Sequence, residues 1–407
     1  MALKIGILTY HRSYNYGAFM QCYSLATRIQ QDFPNCKVEV IDYLSKEVYQ
    51  NYHNTIKNQL SLIVNADSYV KIKRYTKSLI VYCINRFKGG SLKNANTHYF
   101  EEAVSMLPLS PMPIVTDNLI EISNFINDNY DIVIVGSDAV WNFQMRPFPN
   151  VYFLGKTIKA KKLSYAASSY GQQYQKLPNK IMQTIRESWQ SYHYVGVRDL
   201  STENFVKYAD PNITPFHNCD PTVFLDMDLL SSYKKSVMSK LLRLGFDPHR
   251  KTIGLMVSPR LAAKVKENLG AEYQLVSVFK SNKYADVNLM DVNPFEWAVC
   301  FSFFDVTITH YFHGNLLSLK NGTPTLVIEQ SNEYNRTYNS KIRDFMMRIN
   351  MIDYCYFDED FDYSNMSQKV NEVSKIDKTL IGNNLKSESL NYNSFKNALM
   401  ELININF

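Results

Sequence analysis

A chain of 407 residues with 45% hydrophobic content is too long for one ordinary core and fits two domains of about 200 residues each. No apolar run approaches the ~20 residues of a spanning helix, and no secretory segment follows Met1, because Lys4 to Thr9 leads straight into polar loop residues. Cysteines Cys22, Cys36, Cys83, Cys219, Cys300 and Cys355 lie without C-x-x-C pairing, which argues against a zinc cluster or disulfide scaffold and for small core residues; no metal is expected. The net charge of +6 is local. Tyr69 to Phe100 holds Lys71, Lys73, Arg74, Lys77, Arg86, Lys88 and Lys93 with no acid, so the rest of the chain is close to neutral. A cytoplasmic protein with no nucleic-acid partner is expected.

Lys4 to Thr9 reads as a strand, and Ala18, Gln21, Cys22, Leu25, Ala26 and Ile29 recur at helical spacing behind it. The joining loop, Tyr10 to Gly17, lacks both G-x-G-x-x-G and G-K-[ST], so Asp42 in the next strand, Val38 to Tyr43, is not a ribose ligand. Asn15 and Gly17 are instead placed to hold a polar ligand at a helix N-terminus. Residues 45 to 125 break the alternation and read as a mostly helical insertion. The pattern resumes at Asp131 to Val135, which ends in G-S-D-A-V-W-N. Asp138 there suits a base or a hydroxyl-binding group on the ligand edge of the sheet, and the plainer reading makes it or Ser137 an N-cap. Lys162 to Ala166 is a strand, Asn179 to His193 a helix, and Tyr194 to Val197 a strand ending at Arg198, a candidate anion fork. Asp199 offers Arg198 a structural ion pair instead. Pro211, Pro215 and Asp220-Pro221 punctuate the chain where alternation lapses, which places a domain boundary near residue 220.

The second half restarts at Thr252 to Val257, followed by Ser258-Pro259-Arg260, and continues with Tyr273 to Val278. Asn293-Pro294-Phe295-Glu296 is a helix start with an N-cap, a first-position proline and a capping-box glutamate. Val306 to Thr309 is a buried strand, Asn315 to Lys320 a short helix and Thr325 to Ile328 the next strand. Between strand and helix lies T-H-Y-F-H-G-N, where His310 and His313 are either site residues or caps filling a crevice. Helices follow at Lys341 to Ile349 and Asn365 to Val373, and a last one, capped by Ser394, carries Phe395, Ala398, Leu399, Leu402 and Ile403 on one face. The expected fold is α/β: two Rossmann-like domains, 1–220 and 221–407, facing a cleft, with the helical insertion in the first and a C-terminal helix.

Several stretches run in a fixed order from residue 4 to about residue 328: K-I-G-I-L-T-Y-H-R-S-Y-N-Y-G-A-F-M-Q, D-I-V-I-V-G-S-D-A-V-W-N, K-L-S-Y-A-A-S-S-Y-G, V-G-V-R-D, C-D-P-T-V-F-L and T-H-Y-F-H-G-N. Together they resemble the polysaccharide pyruvyl transferase family. The resemblance implies a fold like that of GT-B glycosyltransferases and transfer of the pyruvyl group of phosphoenolpyruvate onto a saccharide as a ketal. Phosphoenolpyruvate is then a donor substrate, and no cofactor is expected. The resemblance makes His313 the general acid, gives Arg198 to the donor anion, and gives Asp138 a part in orienting or deprotonating the acceptor. It places the donor in the second domain, at His310, Tyr311, Gly314 and Asn315, and the acceptor in the first, at Asn15, Tyr16, Gly17 and Trp141.

Many members carry arginine two residues before the histidine, where this chain has Tyr311, a neutral donor that cannot replace a guanidinium fork. His310, Arg260 and Lys280 are the candidate replacement cations. Two rival functions are a nucleotide-sugar glycosyltransferase on the same fold and a non-catalytic saccharide-binding protein, for which Tyr311 argues. The basic segment 69–100 also has two readings. Ile72, Leu79, Ile80, Val81, Ile84 and Phe87 pack on their own domain, or they rest against the inner face of an anionic membrane where a lipid-linked acceptor is presented.

Overall fold

Apolar, β-branched runs alternating with amphipathic helices give two parallel sheets of six strands in the computed structural model, which describes residues 2–52, 91–143, 148–338 and 340–405 and scattered positions between 60 and 80. The first sheet contains β1 (Lys4–Leu8), β2 (Lys37–Val40), β3 (Ile132–Asp138), β4 (Lys161–Ala167), β5 (Tyr194–Val197) and β6 (Phe216–His217), in the order β2-β1-β3-β4-β5-β6. The second contains β7 (Thr252–Met256), β8 (Gln274–Val278), β9 (Val287–Leu289), β10 (Val306–Thr309), β11 (Thr325–Glu329) and β12 (Cys355–Phe357), in the order β9-β8-β7-β10-β11-β12. Helices cover both faces of such sheets, so their central strands are buried throughout, as Ile132 to Val135 and Val306 to Thr309 are. Each sheet reverses its strand order once, between β1 and β3 and between β7 and β10. Crevices open at the carboxyl ends of strands at such points.

Helix α1 (Tyr16–Asp32) leaves β1 at the first of these points. Its first residue also joins the halves: the Tyr16 hydroxyl donates to the Val292 carbonyl at 2.8 Å, and its ring meets Phe279 and Trp297 edge-on, at 5.0 and 5.9 Å between centroids. Helix α2 (Leu200–Ala209) follows β5, and α3 (Pro294–Cys300) has the expected capping box between Asn293 and Glu296. Helix α4 (Phe312–Lys320) follows β10 at the second switch point and begins at Phe312 rather than Asn315, so His313 belongs to its first turn and not to the loop. Its N-cap residue, Tyr311, makes no side-chain capping bond, which is why the sequence carries no start signal there.

Helix α5 (Lys341–Arg348) is capped by Ser340, and α6 (Asn393–Ile405) ends the described chain. Ser394 lies inside α6 instead of capping it, its hydroxyl 2.8 Å from that of Tyr194 on β5. With Phe395 packed on Tyr165 of β4, this last helix returns to the first sheet. Within 45–125, the described residues form helices Lys46–Tyr52, Ser91–Ser105 and Leu119–Asn129 and one short strand, Ile114–Val115. Part of the basic, apolar-faced segment, including Lys71, Arg74, Val81, Ile84, Arg86, Phe87 and Lys88, lies outside the described residues.

Candidate active site

The carboxyl ends of β7, β8 and β10 and the start of α1 converge on a cavity of about 300 Å³, walled by Asn15 to Gly17 from one half and Met256, Ser277 to Lys280, Tyr311 to Gly314 and Lys341 from the other. Two helices point their amino ends at it and differ in how those ends are satisfied. The Asn15 side-chain oxygen accepts from the amides of Gly17 and Ala18, at 3.0 and 3.3 Å, so its acceptor is spent on capping α1. Tyr311 gives α4 no such bond, so its side chain does not occupy the first-turn amides of α4, which suit an external acceptor. The Tyr311 hydroxyl instead receives the Lys280 ammonium at 2.8 Å.

His313 stands across the cleft against Gly17, where a Cβ would lie 2.1 Å from its Nδ1. Only glycine fits there. Gly17→Ala should push the imidazole aside by roughly an ångström and lower turnover on the order of 10²-fold, with a nearly unchanged melting temperature by circular dichroism. Gly314 has a similar packing reason, since a Cβ would meet Met256 Sδ at 2.8 Å and Thr309 Oγ1 at 2.9 Å; its absence lets α4 settle on β7.

Behind His313 lies Asp220, fully buried, which accepts from Gln21 Nε2 at 2.5 Å, the Thr222 amide at 3.0 Å and Arg198 at 3.2 Å. His313 Nε2 is 3.8 Å from the same carboxylate, is buried, and has no hydrogen-bond partner among the described residues. Arg198 is 2% exposed, and its Nε and second terminal nitrogen likewise lack partners among the described residues. The guanidinium lies 5.5 Å from the Phe312 ring, behind the cavity wall rather than in it. Lys341, at the first position of α5, does face the cavity.

Burial pushes His313 down to about 4, with Lys341 and Arg198 acting in the same direction and Asp220 and Asp138 opposing them. Burial also lowers Lys341, again helped by Arg198, whereas Asp220 is held below the ordinary carboxylate range against its burial by His313, Arg198, the Thr222 amide and the Gln21 side chain together. At neutral pH the imidazole is therefore uncharged, and an anion beside it would favour its protonation. Burial and then Arg348 push His217, at the end of β6, down to about 3. Both histidines bind protons more readily unfolded, so their contribution to stability is complete above about pH 6.5 and is lost as pH falls toward 4. Thermal melts at about pH 7.5 and about pH 5 should show a smaller acid loss for His217→Asn than for the wild type.

The structure redistributes the residues singled out by sequence. Asp138 ends β3 in the left-handed region, at φ 81°, with its own carboxylate accepting from the Ala139 amide at 2.7 Å. No helix starts there, so it is not a helix N-cap, but a turn does follow it at Val140 and Trp141, as its plainer reading has it; its charge acts on His313 and Lys341. Asp199 does not pair with Arg198; it caps α2, accepting from the Thr202 amide and hydroxyl at 2.9 and 2.6 Å. Trp141 is a core residue, fully buried, with Nε1 donating to the Tyr152 carbonyl at 3.0 Å. Asn315 is also core, tying α4 to β11 through Thr325 Oγ1 at 2.6 Å. Arg260 is 73% exposed and turned to Asp358, away from the cavity. His310 lies beside Tyr311, and burial followed by the charge of Lys280 lowers its pKa, which makes it a poor replacement cation. Neither histidine caps α4, because Tyr311 holds that position.

Asp42 accepts from His11 at 2.9 Å and from Arg12 at 2.6 and 2.7 Å, so its oxygens are engaged within the protein. Cys22, Cys36, Cys219, Cys300 and Cys355 are free and buried, while Cys83 lies outside the described residues. Sequence reasoning missed Asp220, Gln21 and Lys341. The first stands in C-D-P-T-V-F-L, where the proline makes it look like simple punctuation; Lys341 carries no local signal at all.

The model of the family described as polysaccharide pyruvyl transferase matches residues 15–332. Among solved structures, UDP-GlcNAc 2-epimerase from Methanocaldococcus jannaschii aligns over 96% of this chain and 98% of its own, at 10% identity and a TM-score of 0.52. UDP-N-acetylglucosamine 2-epimerase from Rickettsia bellii aligns over 100% and 98%, at 9% identity and a TM-score of 0.51. These likenesses establish a GT-B-type fold and carry nothing of the epimerases' reaction. No curated protein matches the chain.

Proposed function

The chain belongs to the polysaccharide pyruvyl transferase family, and from that premise we propose that it transfers the pyruvyl group of phosphoenolpyruvate to two hydroxyls of one saccharide as a ketal. In this reaction a proton adds to the methylene carbon of the donor, one sugar hydroxyl adds to the neighbouring carbon, and a second hydroxyl displaces phosphate. Of the two hydroxyl protons, one balances the new methyl group and the other leaves with phosphate.

The observation that carries this reading is His313 Nε2, buried and without a hydrogen-bond partner among the described residues, in the first turn of a helix that Tyr311 does not cap and whose cavity also holds Lys280 and Lys341. Free amides and ammonium groups suit a donor with a carboxylate and a phosphate. The donor's charge raises His313 from its low value, so the proton it delivers arrives with the substrate it protonates. Arg198 acts through Asp220, which faces the imidazole; this revises the donor contact expected of it. Asp138, at the carboxyl end of the central strand β3, is the group for the acceptor hydroxyl, which makes 1–220 the acceptor side and 221–407 the donor side. The presence of His313, Asp220 and Lys341 together supports catalysis over simple saccharide binding.

The acceptor is proposed to be lipid-linked and met at the inner face of a membrane; among the described residues no helix is long and apolar enough to cross one. Sedimentation with vesicles of rising anionic lipid content, at low and high salt, checks the membrane contact. The reaction itself is tested by incubating the protein with phosphoenolpyruvate and a panel of lipid-linked or nitrophenyl sugars in D₂O. Phosphate release together with one deuterium in the product methyl group is the expected result. Consumption of a nucleotide-sugar, with phosphoenolpyruvate untouched, would replace this reading with that of a glycosyltransferase.

A further inference from the structure

We infer that Lys280 and Tyr311 act together as a two-point anion fork for the donor, made by a strained turn at the end of β8. The assignment deepens the proposed phosphoenolpyruvate reading and rests on it. Phe279 adopts the left-handed region, at φ 72°, which a bulky side chain rarely occupies. Three contacts hold it there: its amide donates to the Leu289 carbonyl at 3.2 Å, and its ring meets Tyr16 at 5.0 Å and Trp297 at 5.9 Å. Ser277 Oγ closes the same turn by donating to the Lys280 carbonyl at 2.7 Å. Strain of this kind persists where neighbours over-determine it, and it aims something.

What it aims is the Lys280 side chain, whose Nζ reaches the Tyr311 hydroxyl at 2.8 Å and stands 4.9 Å from the ring centre. Lys280 is exposed, so the fold has little use for the contact. Its ammonium keeps further N–H donors after serving Tyr311, and the Tyr311 hydroxyl, accepting from Lys280, keeps its own proton to give. Two donor atoms 2.8 Å apart therefore face one cavity, beside the uncapped start of α4. That separation lets each donor take a different oxygen of one carboxylate or phosphoryl group. Tyr311 alone cannot do what a guanidinium does, but Tyr311 with Lys280 offers both the charge and the second donor.

The test is isothermal titration calorimetry of the full chain with phosphoenolpyruvate, inorganic phosphate and pyruvate. Lys280→Met should weaken phosphoenolpyruvate about tenfold or more, Tyr311→Phe should weaken it less, and Lys280→Arg should stay near the wild type, all at unchanged melting temperature. Loss of phosphate binding in Lys280→Met assigns the fork to the phosphoryl group, and loss of pyruvate binding assigns it to the carboxylate. Wild-type affinity for phosphoenolpyruvate in Lys280→Met overturns the fork, as does a wild type that binds none of the three. A wild type that binds phosphoenolpyruvate through Lys280 yet forms no ketal leaves the fork standing and removes the proposed reaction.

Discussion

His313→Asn should lower turnover on the order of 10²-fold or more, with the melting temperature and the far-ultraviolet spectrum of the wild type. Asparagine keeps a polar group of modest size against Gly17 but cannot carry a proton to carbon. Because the imidazole is only 15% exposed and faces Asp220 across 3.8 Å, its loss removes chemistry without opening a large cavity. Affinity for phosphoenolpyruvate should change much less than turnover, since the lysines and the amides of α4 remain. Near-normal turnover in His313→Asn would remove the residue from proton transfer.

Asp220→Ala should be the most damaging single change to stability, by about 3–5 kcal/mol in urea denaturation. The carboxylate is fully buried and is the ion-pair partner of Arg198, whose guanidinium is 2% exposed; truncating it leaves that charge inside the protein without this counter-ion. The double variant Arg198→Met/Asp220→Leu removes both charges and should regain most of the stability, because a buried pair contributes little net energy over apolar side chains of similar size. It should not regain activity, because nothing then faces His313 Nε2. A double variant as unstable as Asp220→Ala would show that the carboxylate is needed for Gln21 and Thr222 rather than for Arg198.

Much of the fold was legible because central strands of parallel sheets are covered on both faces, so their sequences are unbroken apolar runs. Tyr194 to Val197 and Val306 to Thr309 match the expected strands residue for residue. Helix starts were legible where a side chain does the capping, as at Asn293, and not where none does, as at Tyr311. Partners were misjudged where nearness in sequence stood in for nearness in space. Asp199 follows Arg198, yet chain direction after β5 turns it to the amides of α2, and a carboxylate 22 positions further on takes the arginine. Trp141 sits close to Asp138 in one motif, but the left-handed backbone at Asp138 turns the chain inward and carries the indole into the core. Arg260 follows a helix-starting proline and lies on the outer face of its helix. Lys341 enters the site only because α5 packs beside α4, a tertiary fact with no trace in local sequence.

Whether the cavity at the start of α4 accepts phosphoenolpyruvate as donor is decided by the melting temperature of the wild-type chain titrated with phosphoenolpyruvate, with UDP and with GDP. A ligand that binds only the folded chain raises its stability by about 2.7 kcal/mol at 100 times its dissociation constant. The expected result is a dose-dependent rise with phosphoenolpyruvate and none with either nucleotide. A rise with UDP or GDP and none with phosphoenolpyruvate would exclude phosphoenolpyruvate as the donor.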